Sequence, residues 1–126
     1  MKEKNIIQYI EKTFKYYNRF YINFHGTNFG KVGVSDFITL DKDSVFTAIE
    51  VKTENTMPYA NQYRRALEIL SSGGRFIVAK QDFSIQNLDN HTIPKIPTQL
   101  VVGKSEYDLL ELKTKTSFEL IAISSN

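Results

Sequence analysis

Three charged residues stand where a folded chain ordinarily places apolar ones. Asp36, Glu50 and Lys52 lie inside the runs Gly33-Val34-Ser35-Asp36-Phe37-Ile38 and Ala48-Ile49-Glu50-Val51-Lys52. Both runs are rich in apolar and β-forming residues, and a charge buried in such a segment is costly unless it is paired or metal-bound. Two carboxylates, with a lysine two residues beyond the second, are a donor set for a hard cation beside a phosphate. The chemistry implied is metal-assisted hydrolysis of a phosphodiester.

The elements that must position these groups are two strands, predicted over 34–40 and 45–51 and joined by the polar turn Asp41-Lys42-Asp43-Ser44. Counting outward from a hairpin centred on Asp43 sets Leu40 against Phe46, Ile38 against Ala48, Asp36 against Glu50 and Val34 against Lys52. Strand side chains alternate, so these eight share one face, while Phe37, Thr39, Thr47, Ile49 and Val51 take the other. Directly opposed like charges destabilise a strand pair, and a divalent ion would compensate. Mg²⁺ is typically held by one or two carboxylates with water and phosphate, and the Val51 carbonyl offers a further oxygen. Lys52 would then orient a water or stabilise charge developing on phosphate. An ordinary surface hairpin would carry the same three residues on a wet face. Here Ile38, Leu40, Phe46 and Ala48 share that face, which is not simply solvated.

An Asp followed by Glu-x-Lys on a hairpin resembles the PD-(D/E)xK nuclease signature. The finer likeness is to the VRR-NUC family, in its small phage-type stand-alone form. It rests on Glu3 before Ile6-Ile7, Lys31-Val32-Gly33-Val34-Ser35-Asp36, Ile49-Glu50-Val51-Lys52, Gln62 within 58–65, and Gly73-Gly74 before Arg75-Phe76-Ile77-Val78. It covers about residues 1–80. Ser35 departs from the family's usual proline, which alters backbone stiffness before Asp36 and not the ligand. The resemblance implies an αβββαβ restriction-endonuclease-like core: an α/β fold with a mixed central sheet flanked by helices. It implies Asp36 and Glu50 as metal ligands, Lys52 as the catalytic lysine, and Gln62 lining the site from the second helix. Glu3 would approach the metal from the first helix, through water, with Glu11 the competing glutamate.

Composition is compatible with this. The 126 residues suit a single domain, 41% of them hydrophobic. There is no cysteine, which excludes disulfides and thiolate zinc sites, and only His25 and His91 could serve a histidine zinc site. An oxygen-ligated metal is the better match. No apolar run approaches the ~18 residues of a membrane span, and the N-terminus does not read as a secretory signal. The expected location is therefore intracellular and cytoplasmic, with a phage or mobile-element origin suggested by the resemblance.

Net charge is only +2, so DNA binding must come from the distribution of charge. Lys31, Arg64, Arg65 and Arg75 flank the expected site, and Lys12, Lys15 and Arg19 recur along the first helix. Tyr16, Tyr17 and Tyr21 offer faces on which bases could stack, though packing on the sheet is the commoner use.

Ile6, Ile7, Ile10 and Phe14 predict a helix over about 3–18, followed by a strand over 21–24 and a loop over 25–31. A second helix is predicted over 58–70, with Tyr59, Tyr63, Ala66, Leu67 and Leu70 as its buried stripe, then a strand over 75–79. The strand–helix–strand connection implies parallel pairing. Residues 81–126 extend the same domain. They are expected as an irregular loop over 81–99, either a surface excursion or a lobe that faces substrate or a second copy, a helix over 104–113 and a strand over 117–123.

The activity these readings imply is a Mg²⁺- or Mn²⁺-dependent endodeoxyribonuclease. By resemblance its substrate is branched DNA such as a Holliday junction, cut by a homodimer. Two alternatives stay open: a non-catalytic DNA-binding or protein-interaction module on a nuclease fold, and a restriction-type enzyme that cuts linear duplex.

Overall fold

The computed structural model describes residues 1–25, 35–98 and 114–123. Their order is α1 (Glu3–Tyr16), β1 (Tyr21–Asn23), β2 (Phe37–Leu40), β3 (Phe46–Val51), α2 (Ala60–Ser71), β4 (Arg75–Ala79), α3 (Ile85–Asn90), β5 (Lys95–Pro97) and β6 (Phe118–Ile121). The protein is mixed α/β, and among the described residues the strands form one six-stranded sheet in the order β1-β2-β3-β4-β6-β5. β1, β2 and β3 run as antiparallel neighbours, and the α2 crossover makes β3 and β4 parallel.

The hairpin register is the one counted from the sequence, with Ile38 against Ala48 and Leu40 against Phe46. Both strands begin later than expected, at Phe37 and Phe46. Each face of the sheet is covered by helix. Ile6, Ile7, Ile10 and Phe14 of α1, with Ile85 and Leu88 of α3, pack with Phe37, Ile49, Val51, Ile77 and Ala79. Burying each such α1 side chain contributes about 2 kcal/mol. On the opposite face Tyr63 and Ala66 of α2 meet Ala48, Phe76, Val78, Phe118 and Leu120. Odd and even strand positions thus serve separate cores, as the pleat requires.

Helix α1 stops where Asn18 turns left-handed, and Arg19 N–H reaches back to the Phe14 carbonyl. Helix α2 starts after Tyr59, so Pro58 lies ahead of the helix and not in its first turn. Tyr59, expected in the buried stripe, is exposed.

The expected irregular loop over 81–99 contains α3 and β5. Ser84 caps α3 by accepting the Asn87 N–H, and β5 is a short edge strand whose Pro97 lacks a ladder donor. Strand β6 pairs antiparallel with β4 and parallel with β5, so these segments extend the sheet beyond β4. The helix expected over 104–113 lies outside the described residues. Among the described residues no helix is long and apolar enough to cross a membrane.

Candidate metal and phosphodiester site

The site forms at one end of the sheet. The C-terminal end of β3, the residue just ahead of β2 and the N-terminal turns of α1 and α2 meet there. Asp36, Glu50 and Lys52 are 9%, 3% and 5% exposed, so all three ionisable residues are buried. Carrying the β2–β3 register one residue further sets Asp36 across from Glu50.

The backbone orients this pair. Lys52 N–H donates to the Ala79 carbonyl at 3.0 Å on the β4 side. Alternation along β3 then turns the Val51 N–H and carbonyl towards Asp36. Val51 N–H donates to Asp36 Oδ2 at 2.8 Å. The Val51 carbonyl therefore lies on the side expected of a ligand.

Glu50 is held from α2. Gln62 Nε2 donates to Glu50 Oε1 at 2.8 Å, while Gln62 Oε1 accepts the Tyr59 N–H at 2.7 Å. One amide thus couples the start of α2 to the carboxyl. Glu50 Oε2 is buried without a hydrogen-bond partner. Burial pushes the Glu50 pKa up to about 9, reinforced by the negative charges of Asp36 and Glu3 and opposed by Lys52. A buried, crowded carboxyl with an orphaned oxygen fits a cation ligand.

Glu3 also reaches the site. Glu3, His25 and Asp36 bring one ligand atom each to within 4.8 Å of one another, a grouping that could hold a metal ion. Between the two glutamates left open by the sequence, the geometry favours Glu3. Glu11 instead accepts the Asn23 amide at 3.0 Å and pairs with Lys15. Lys52 Nζ sits 4.4 Å from the Tyr59 ring centroid, so an aromatic ring braces the ammonium from the solvent side.

The basic residues divide differently from expectation. Arg75 does not flank the site. It is buried, donating to Glu119 at 2.7 and 3.1 Å, to Asp41 at 3.0 Å and to the Leu88 carbonyl at 2.8 Å. Desolvating a guanidinium demands such partners, and no face of it remains for DNA. Arg65 pairs with Glu68 and lines an apolar pocket with Phe46 and Ile69. Arg64 is exposed on α2, and Lys31 lies outside the described residues. Arg19 makes a two-pronged contact with Asp89 at 2.8 and 2.6 Å, so it fastens β1's approach to α3. Tyr21 packs on Phe14 at 5.5 Å, whereas Tyr16 and Tyr17 are exposed. Lys2 and Lys4, not singled out by the sequence, line an open depression with Asn5, Gln8 and Thr53. That depression adjoins the site, because Lys2 and Lys4 flank Glu3 and Thr53 follows Lys52.

Three further residues, His25, Tyr59 and Lys80, lie at or beside the site. His25 was read as a loop residue, yet its Nδ1 lies 2.9 Å from Asp36 Oδ1. Tyr59, expected in the buried stripe of α2, instead lies exposed against Lys52. Lys80 is fully buried beside Lys52 and donates to the carbonyls of Glu54 and Thr114, anchoring the connector after β3. The signal available for Lys80 is that it continues the alternation of Phe76 and Val78 one residue past the end of β4. For His25 the signal is its loop, since a segment over 25–31 that precedes Asp36 can sit beside the substrate, although nothing marks His25 itself as a ligand.

The second cluster of potential ligands, Asp41, Asp43 and His91, is a different case. Asp41 caps its own turn through the Asp43 and Val45 N–H groups and pairs with Arg75. No family model, no curated protein and no solved structure matches the chain.

Proposed function

We propose that this protein is a divalent-metal-dependent DNA endonuclease, built on a restriction-endonuclease-like αβββαβ core. The observation that carries the reading is the buried Asp36–Glu50 pair with Glu50 Oε2 unpartnered and Lys52 next along the same face. Among the described residues, the order α1-β1-β2-β3-α2-β4 and the antiparallel-to-parallel change at β3 support the same core.

Asp36, Glu50 and the Val51 carbonyl would hold the cation, with Glu3 approaching from α1. When bound, Mg²⁺ or Mn²⁺ supplies an activated nucleophile at neutral pH and charge compensation for the phosphate. The protein's own groups do the positioning. Val51 N–H fixes one oxygen of Asp36, and Gln62 fixes one oxygen of Glu50. Lys52, steadied by Tyr59, places a positive charge beside the scissile phosphate. Lys2 and Lys4 would neutralise flanking phosphates. Branched DNA as substrate, and a homodimer presenting two sites to two strands, follow from the family resemblance.

Incubating labelled linear, flap and four-way-junction DNA with Mg²⁺, Mn²⁺ or EDTA tests this reading. Cutting that needs metal and is lost in Asp36→Ala and Lys52→Ala, with the fold retained, is expected. Tight DNA binding without cutting on every substrate would favour a non-catalytic module.

A further inference from the structure

His25 is held in place by a relay from α1. Its backbone N–H donates to Asn23 Oδ1 at 2.8 Å, and Asn23 Nδ2 donates to Glu11 Oε2 at 3.0 Å. The imidazole that results lies with Nδ1 2.9 Å from Asp36 Oδ1. Adjacent ligands of a six-coordinate ion with bonds near 2.1 Å stand about 3 Å apart. The His25–Asp36 spacing therefore suits two neighbouring ligands as well as a hydrogen bond, and a divalent ion could replace the intervening proton. Glu3 brings a third potential ligand atom within 4.8 Å of both. Independently, Glu50 presents a buried oxygen without a partner at this end of the sheet.

We propose that His25 is a direct nitrogen ligand of the divalent ion, and that it makes the centre prefer Mn²⁺ over Mg²⁺. The inference rests on the metal-centre reading above and adds a donor and a selectivity to it. Carboxylates and carbonyls suit Mg²⁺ and Mn²⁺ alike, whereas an imidazole favours the transition metal, because Mg²⁺ is a hard ion that prefers oxygen. The Glu11–Asn23 relay fixes the His25 backbone, from which the imidazole reaches Asp36.

The full chain, stripped of metal, is titrated with Mn²⁺ and followed by electron paramagnetic resonance, with Mg²⁺ as competitor. Wild type is expected to bind Mn²⁺ more tightly than Mg²⁺, and its bound Mn²⁺ to show spin-echo modulation from an imidazole nitrogen. His25→Ala should lose that modulation and at least about tenfold of the Mn²⁺ affinity, with a smaller loss for Mg²⁺. His25→Gln should recover Mg²⁺ binding without restoring the Mn²⁺ preference. The side chain is 42% exposed, so neither change unpacks the core. An unchanged Mn²⁺/Mg²⁺ ratio and modulation in His25→Ala, with binding abolished in Asp36→Ala, would overturn the role of His25 and leave the centre standing. No binding of either ion by wild type would overturn both.

Discussion

The metal-free protein should lose stability as pH rises, and Glu50 should be the cause. Burial is the largest contribution to its raised pKa of about 9, against an ordinary 4.5, with Asp36 and Glu3 adding to the shift and Lys52 opposing it. The native state thus holds the Glu50 proton more tightly than the unfolded chain does. This contribution to stability is fully present below pH 4.5 and is lost progressively as pH climbs through about 9. One proton corresponds to about 1 kcal/mol per pH unit across that window. In a domain of this size each such unit moves the melting temperature by roughly 4 °C. Glu50→Gln removes the proton while keeping the carbonyl that accepts from Gln62. Thermal melts in EDTA from about pH 5 to about pH 9 should show wild type falling relative to Glu50→Gln at that slope. Subtracting the two curves cancels Asp41 and Asp89, whose pKa values are lowered by their own partners. Excess Mn²⁺ should flatten the wild-type curve by binding the ionised carboxylate. Parallel curves for the two proteins in EDTA would refute the reasoning, because Glu50 would then be charged in the native state without cost.

Lys52→Met should lower cleavage by about 100-fold or more while leaving Mn²⁺ affinity within a few-fold, read by kcat and metal titration. Arg75→Ala should cost about 3–5 kcal/mol in urea unfolding, because Asp41 and Glu119 would be left buried and unpaired, and Arg75→Met should cost similarly. Neither should act selectively on DNA affinity in protein that remains folded. Gly74→Ala should destabilise by about 1–3 kcal/mol, since its Cβ would lie 2.8 Å from Ile69 Cγ2 and 3.2 Å from the Phe46 carbonyl oxygen. Gly73→Ala meets no atom, but its φ of +90° should still cost about 1 kcal/mol in the same unfolding assay.

The hairpin was legible because period-two patterning and the Asp41–Ser44 turn fix register together, and its count carried Asp36 and Glu50 to the same point. Gln62 was legible only through resemblance, since nothing local distinguishes it from an exposed helix glutamine. Helix α3 was missed because six residues are too few for a periodic signal. Strand β5 is three residues with a proline in it, which reads as loop from either direction. Arg75 misled because its partners come from a turn 34 residues before it and a strand 44 residues after it, and no spacing encodes that convergence. His25 was hidden for the same reason: its meaning depends on β1 folding back beside β2 to bring it to Asp36.

The most direct test of the central claim is cleavage of a labelled four-way junction by metal-free protein to which Mn²⁺ is added, with Glu50→Ala in parallel. The account predicts cutting by wild type that begins with Mn²⁺, stops with EDTA and is absent from folded Glu50→Ala. Intact junction under every condition, or equal cutting by Glu50→Ala, would contradict it.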